Sequence, residues 1–488
     1  MTSPTDEPTR GWRRLAVEPR RPLAVRNSAR GPWLVVATVC IGAFMGQLDA
    51  SIVTLAFPTL RHDFNASLAS VEWVGQIYLL VLVGLLAAVG RYADMVGRKL
   101  LYIYGFVAFI VGSALCGLAP DLPALVAFRV LQGFGAAMLQ ANSVAIIVGA
   151  VPKDRLGRAI GVQGAAQALG LALGPAVGGL LIAAGGWRLI FYVNVPAGVA
   201  GAVLGWYLIP RSRHLAPRVP FDWIGLAIFL PGVTALLLAV SYGARYGWIS
   251  PLIVTLFAAG AALLVAFVKW ERTVDTPMLD LSLFSRVSFS AGIASGLLSY
   301  LVLFGVLTVV PFYLEVGRHA SSGTAGLELM VMPIGLGLVA PLAGRLADRI
   351  GARPLTVAGM AAAAAMLAFA GVVHPGSALF LVSLAVTGVG LGTFTPPNNA
   401  AIMASVPPQR SGMASGVLNM TRGLGTSLGL ALAGLMYTLG AGAGVASAGG
   451  ASAGFEDAAI LLAALSGVAA LLSGLSGKAP RYEIGSNG

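Results

Sequence analysis

The chain has 488 residues, of which 57% are hydrophobic and only 10% charged, with a net charge of +12. Its mean hydropathy of +0.85 sets it apart from soluble domains, in which about a quarter of the residues carry charge. A soluble globular enzyme is excluded, and so is a nucleic-acid partner, because the basic residues fall almost wholly in alternate loops and not on one face.

Residues 1–31 form a basic tail, with Arg10, Arg13, Arg14, Arg20, Arg21, Arg26 and Arg30 among Pro, Thr and Ser. It has no apolar core of its own and is expected to be a disordered cytoplasmic segment. The first apolar run begins at Trp33 and contains Asp49. At about 27 residues it is too long for the core of a cleaved signal peptide. Cys40 and Cys116 both lie in apolar stretches, too few for a disulfide framework.

Fourteen spans follow in chain order, near 33–59, 72–90, 100–119, 122–149, 157–184, 189–209, 223–242, 251–268, 288–313, 324–344, 354–373, 377–404, 411–439 and 457–476. Each is long enough to cross about 30 Å of hydrocarbon as a helix. With the amino terminus inside, only Arg61, Arg188, Arg245 and Arg318 fall in external loops, and Arg129 and Arg422 lie within spans. All other Lys and Arg residues then share the cytoplasmic side, which predicts that both termini are cytoplasmic.

The loop after the second span carries Gly90, Asp94, Gly97, Arg98 and Lys99. After the tenth span it returns as Gly344, Asp348, Gly351, Ala352 and Arg353, with Ala352 where the first copy has Arg98. Weaker echoes pair Gly161 with Gly416, Gly170 with Gly425 and Gly174 with Gly429. Two homologous six-span halves are implied, at 32–210 and 287–477. The linker 211–286 holds two inserted spans, and a short tail closes the chain at 478–488.

Charged groups inside spans are candidates for function. Asp49 lies about 15 Å, and Arg129 about 10 Å, from the external ends of their helices, so the two could meet at one depth. Burial and a neighbouring guanidinium act in opposite senses on such a carboxylate, which suits it to load and release a proton. A purely structural ion pair is the alternative. Glu328, about 6 Å into its span, is read as an external proton port, a contact for a cationic substrate or an interfacial acid. Arg422, about 16 Å deep, is expected to face a cavity or a partner.

Asp94 beside Arg91, Arg98 and Lys99, with its echo at Asp348 and Arg353, can bridge helices and complement a helix terminus, as a conformational latch. The run Gly170, Gly174, Pro175, Gly178 and Gly179 permits close helix approach and a bend. Pro396 and Pro397, followed by Asn398 and Asn399, read as a broken helix end near a cavity. Gln132 and Tyr78 are further cavity candidates, along with Trp73, Tyr300 and Phe304.

These motifs resemble the major facilitator superfamily, in particular its fourteen-span drug:proton antiporter branch. The likeness rests on Gly90 to Lys99, on Arg129 with Gln132 and Gly133, and on the Gly170 to Gly179 run. It also rests on Leu48-Asp49 with Ser51 to Val53 and Pro58, and on Trp187-Arg188 with Phe191, Asn194, Pro196 and Gly198. The resemblance implies an all-α membrane protein of the major facilitator fold, with two six-helix bundles plus two inserted helices. It further implies export of small lipophilic compounds in exchange for protons, with the helix-five run as antiporter motif at the interface of the halves.

Rival classes lack their chemistry. The one Gly-x-Ser-x-Gly match, around Ser427, lies in an apolar span and not at a strand-to-helix turn. His62, His214, His319 and His374 are scattered. None of Lys99, Lys153, Lys269 and Lys478 closes a phosphate-binding loop. The expected partners are therefore a lipophilic small molecule, protons and the bilayer. No metal or cofactor is expected, energy comes from the proton gradient, and the chain acts as a monomer. Export of an endogenous lipid or secondary metabolite and proton-coupled nutrient uptake remain alternatives.

Overall fold

The computed structural model describes residues 18, 21–26, 28–212, 215, 219–374, 376–442 and 447–475. Among them fourteen helices are long and apolar enough to cross a membrane. In chain order they are α1 (Gly31–Asp63), α2 (Ala69–Val96), α3 (Arg98–Leu118), α4 (Leu122–Ala150), α5 (Lys153–Gly185), α6 (Leu189–Leu208) and α7 (Trp223–Tyr246). The rest are α8 (Pro251–Glu271), α9 (Val287–Gly317), α10 (Thr324–Ile350), α11 (Ala352–Val373), α12 (Ser377–Ala404), α13 (Pro408–Ala441) and α14 (Ala448–Leu475). No strand occurs among the described residues. In hydrocarbon a helix satisfies its own backbone, and that is why these runs are helical.

The two copies of the loop motif have a local cause. Helix α2 begins with the Ser67 hydroxyl accepting from Ser70 N–H and stops at Gly97, whose φ is +126°. Helix α10 begins with Ser321 accepting from Thr324 N–H and stops at Gly351, at φ +90°. Both turns need a backbone region that side chains with a Cβ rarely enter, so glycine sits at the same register in each half.

The glycine echoes divide into two kinds. Gly161 faces Ala340 on α10 and Gly416 faces Leu86 on α2, both across the halves. Gly170 and Gly174 instead face Phe44 and Ser51 on α1, while Gly425 and Gly429 face Leu297 and Leu301 on α9, each within its own half. Missing Cβ atoms thus let α5 and α13 touch two neighbours at once. The halves meet where α5 packs on α10 and α12, and where α13 packs on α2 and α4.

The inserted pair α7 and α8 pack on each other, with Phe229 and Phe267 ring centroids 4.8 Å apart. Helix α7 also lies against α2 and α13. One expectation needs correcting. Pro396 and Pro397 do not break α12, which continues to Ala404. The helix packs on α9, α10 and α11 and carries the two prolines without ending. Within the basic tail, the Glu18 carboxylate accepts from the Ser212 backbone N–H and from the Ser212 hydroxyl at 2.7 Å. An acid among arginines finds free donors at the turn beside Gly97, and the sequence pattern gave no hint of that pairing. Arg10, Arg13, Arg14, Arg20, Arg213, His214, Arg218, Lys478, Arg481 and the tail 478–488 lie outside the described residues.

Candidate functional site

The first constellation is a sealed charge cluster. Asp49 on α1 and Arg129 on α4 meet at 2.6 Å, with side chains 0% and 1% exposed. The carboxylate also accepts from Gln132 Nε2 at 2.8 Å and Asn194 Nδ2 at 3.1 Å. Arg129 donates to the Val74 carbonyl at 2.9 Å and to Gln132 Oε1 at 2.7 Å, and its guanidinium lies 4.1 Å above the Tyr78 ring. Ser113 accepts from Gln132 and Asn194 and donates to the Phe191 carbonyl at 2.8 Å. A buried ion pair persists only when its remaining donors and acceptors are satisfied in this way.

Gln132 and Tyr78, expected at a substrate cavity, belong instead to this cluster, both 0% exposed. The helical spacing that puts Gln132 one turn from Arg129 turns both inward together. Ser113 and Asn194 are partners that sequence reasoning missed. Asn194 stood in the stretch before helix six, whereas a serine in an apolar span carried no signal.

Two clasps join the halves at the end where most basic loops lie. The Asp94 carboxylate accepts from Gly412 and Met413 backbone N–H groups, each at 2.8 Å, at the start of α13's α-helical segment. Arg98 donates to Asp94 Oδ1 at 2.9 and 2.6 Å and to the Pro408 carbonyl at 2.7 Å. In the other half, Asp348 accepts from Gly157 N–H at 2.7 Å and Arg158 N–H at 3.0 Å, where the long helical run of α5 begins. Free N–H groups and the helix dipole favour a carboxylate there. The backbones touch, Gly90 against Gly412 and Gly344 against Gly157. Lys99 is fully buried, while Arg353 is exposed and has no ion-pair partner among the described residues.

The glycine run of α5 also needs correcting. Gly170, Gly174 and Gly178 face Phe44, Ser51 and Ile52 of α1 in their own half, and nothing lies near Gly179. The helix itself borders the other half, but its glycines are spent on bringing α1 close. Pro175 sits inside the helix, which continues to Gly185.

Between the halves, α1 and α5 on one side and α9, α10 and α12 on the other border a narrow cleft of about 40 Å³. Gln47, Gln167, Leu171, Tyr300, Phe304 and Leu336 are among its walls. A smaller space shares Ser299, Tyr300 and Thr395 with it and is lined by Asn398, Asn399 and Arg422. Asn398 also donates to the Gly292 carbonyl at 3.0 Å. Arg422 donates to Asn419 Oδ1 at 2.9 Å and across the halves to Gln167 Oε1 at 3.3 Å. Glu328 is brought to none of these places: it is half-buried, with one carboxylate oxygen buried and without a partner, and lines neither space. Trp73 lines a separate crevice with Tyr242 and Arg245.

The sequence matches the Major Facilitator Superfamily over residues 39–262 and 292–483. It is 35% identical over 404 residues to the riboflavin transporter RibZ of Clostridioides difficile, covering 82% of this chain and 87% of that one. It is 34% identical to the multidrug resistance protein Stp of Mycobacterium tuberculosis, covering 82% and 75%. The fold superposes on the human organic anion transporter MFSD10 with a TM-score of 0.62, covering 91% of this chain and 99% of that one, at 16% identity. That last likeness concerns the fold alone. Fourteen apolar helices, a twofold repeat clasped at one end and these matches lead to one conclusion: the chain belongs to the major facilitator superfamily and is a multi-pass membrane transporter with bacterial relatives, and not an enzyme.

Proposed function

We propose that the protein exports small lipophilic or amphipathic compounds in exchange for protons, by alternating access, with the clasped basic end facing the cytoplasm. The observation that carries this reading is Asp49: a carboxylate with no exposure, facing three side-chain donors, one of them a guanidinium. Protonation there removes the charge that holds Arg129, Gln132 and Asn194 together, and ionisation restores it.

The cluster is connected to the moving halves. Helix α5 is held at its start by Asp348 of the opposite half and pressed through Gly170 and Gly174 against α1 beside Asp49. A change in the packing of α1 therefore reaches the clasp through one rigid helix. The proton gradient supplies about 2.3 kcal/mol per charge per 100 mV, enough for roughly fifty-fold accumulation.

Proteoliposomes under an imposed pH difference, loaded with cationic, neutral and anionic amphipaths in turn, test the coupling. Asp49→Asn is expected to abolish pH-driven flux while solute exchange without a gradient persists. Full pH-driven flux with an unchanged pH profile in that variant would rule Asp49 out as carrier and direct the search to Glu328. The riboflavin-transporter relative favours a second reading, movement of a vitamin-like aromatic solute. The direction of flux in the same vesicles separates uptake from export.

A further inference from the structure

The smaller space beside the central cleft is lined by a charge that nothing in it balances. Arg422 is the register partner of Gln167, 255 positions apart in the repeat, and the two side chains face each other across the halves at 3.3 Å. Its other contacts are neutral: the Asn419 amide oxygen at 2.9 Å and the Tyr300 ring, 5.4 Å below the guanidinium. Its Nε is buried with no acceptor, and no Asp or Glu pairs with it among the described residues.

The walls agree. The two adjoining spaces offer amides, hydroxyls and aromatic rings, but no carboxylate. Asp49 is sealed away with Arg129, and Glu328 lines neither space. The first is thus neutralised in place and the second stands elsewhere, so the local field is that of a single cation. An unpaired guanidinium at membrane depth is costly, and a planar anion that accepts two of its N–H groups removes that cost.

We propose that Arg422 is the anchor of a substrate subsite selective for acidic amphipaths, meaning aromatic or polycyclic molecules bearing a carboxylate, phenolate or enolate. The acid group pairs with the guanidinium, the rings lie against Tyr300 and Phe304, and Gln167 and Asn398 take further polar groups. A cationic amphipath meets repulsion at the same point in a medium of low dielectric. This deepens the transport function proposed above and rests on the central space being the substrate's path, but it does not depend on the direction of transport or on protons.

The test is equilibrium binding to the full-length protein in nanodiscs, at one pH and without a gradient, so that a failure of proton coupling cannot affect it. Three probes share one scaffold: 1-naphthylacetate, 1-naphthylacetamide and 2-(1-naphthyl)ethylammonium. The anion is expected to bind at least tenfold more tightly than the amide, and the cation more weakly than either. Arg422→Gln should remove the preference for the anion over the amide, and Arg422→Lys should retain part of it. Equal or tighter binding of the amide or the cation by the unaltered protein overturns the proposal, as does an anion preference that survives Arg422→Gln. Should that variant fail to fold, the order of the three probes on the unaltered protein decides alone. Anion selectivity without pH-driven flux would leave this subsite standing and remove only the coupling mechanism.

Discussion

The two clasps at the basic end are copies of one device, and they differ in how firmly they are held. Both place a carboxylate on the first free N–H groups of a helix in the opposite half. Asp94 is fully buried and carries Arg98 against it, whereas Asp348 is half-buried and has Ala352 at the corresponding position. The Asp94 side has further ties: Arg410 pairs with Asp280, Asp280 N–H reaches Met413 Sδ at 3.3 Å, and Arg286 donates to the Ser405 carbonyl at 2.6 Å. Those ties come from the segment that follows the inserted helices, and α7 packs on α2 and α13 nearby. The inserted pair thus thickens one seam between the halves and leaves the α5–α10 seam to the Asp348 carboxylate and close backbone contact, with no guanidinium beside them.

The comparison is broken most severely at Asp94. Asp94→Asn removes the charge from two backbone hydrogen bonds, each worth about 1.5–3 kcal/mol when charged. It also leaves Arg98 in a buried site without its counter-ion, a further cost of several kcal/mol. The clasped state should lose at least ~100-fold in population, read as a bimodal shift in spin-label distances across the basic end. An unchanged distance distribution would show that Asp94 only fixes topology. Asp348→Asn strands no buried arginine, so about a tenfold shift in the same measurement is expected, close to 1.4 kcal/mol.

What the sequence made legible here follows from which forces are local. Apolar length set the fourteen helices, and the turn glycines Gly97 and Gly351 announced the repeat because their backbone region is closed to other residues. Equal depth in two helices brought Asp49 to Arg129, since rise per residue is fixed. Rotation about a helix axis was another matter. Whether Gly170 faces the other half or its own, and whether Gln132 and Tyr78 turn to a cavity or to Arg129, depends on neighbours that are distant in sequence. In a membrane both faces of a helix are apolar, so periodicity gives no phase. The Glu18 contact with Ser212 was hidden for the same reason, being a pairing across 194 positions.

The smaller effects sharpen the comparison. Ala352→Arg restores to the second clasp the guanidinium of the first, four residues after the carboxylate, as Arg98 stands to Asp94. At a half-exposed site such an i,i+4 pair contributes about 0.5 kcal/mol, so opening at the basic end should slow two- to threefold, seen in the labelling rate of a cysteine placed in α5. A slowing as large as the Asp94→Asn effect would mean that burial, and not the inserted segment, sets the difference between the seams. Smallest of all is Arg353→Gln, at an exposed arginine with no ion-pair partner among the described residues. Its labelling rate should stay within twofold of the unaltered protein, because a solvated charge at the start of α11 is screened within about 10 Å at ordinary salt. A larger change would place Arg353 in the clasp of a conformation other than this one, where the seam that is looser here would be the tighter of the two.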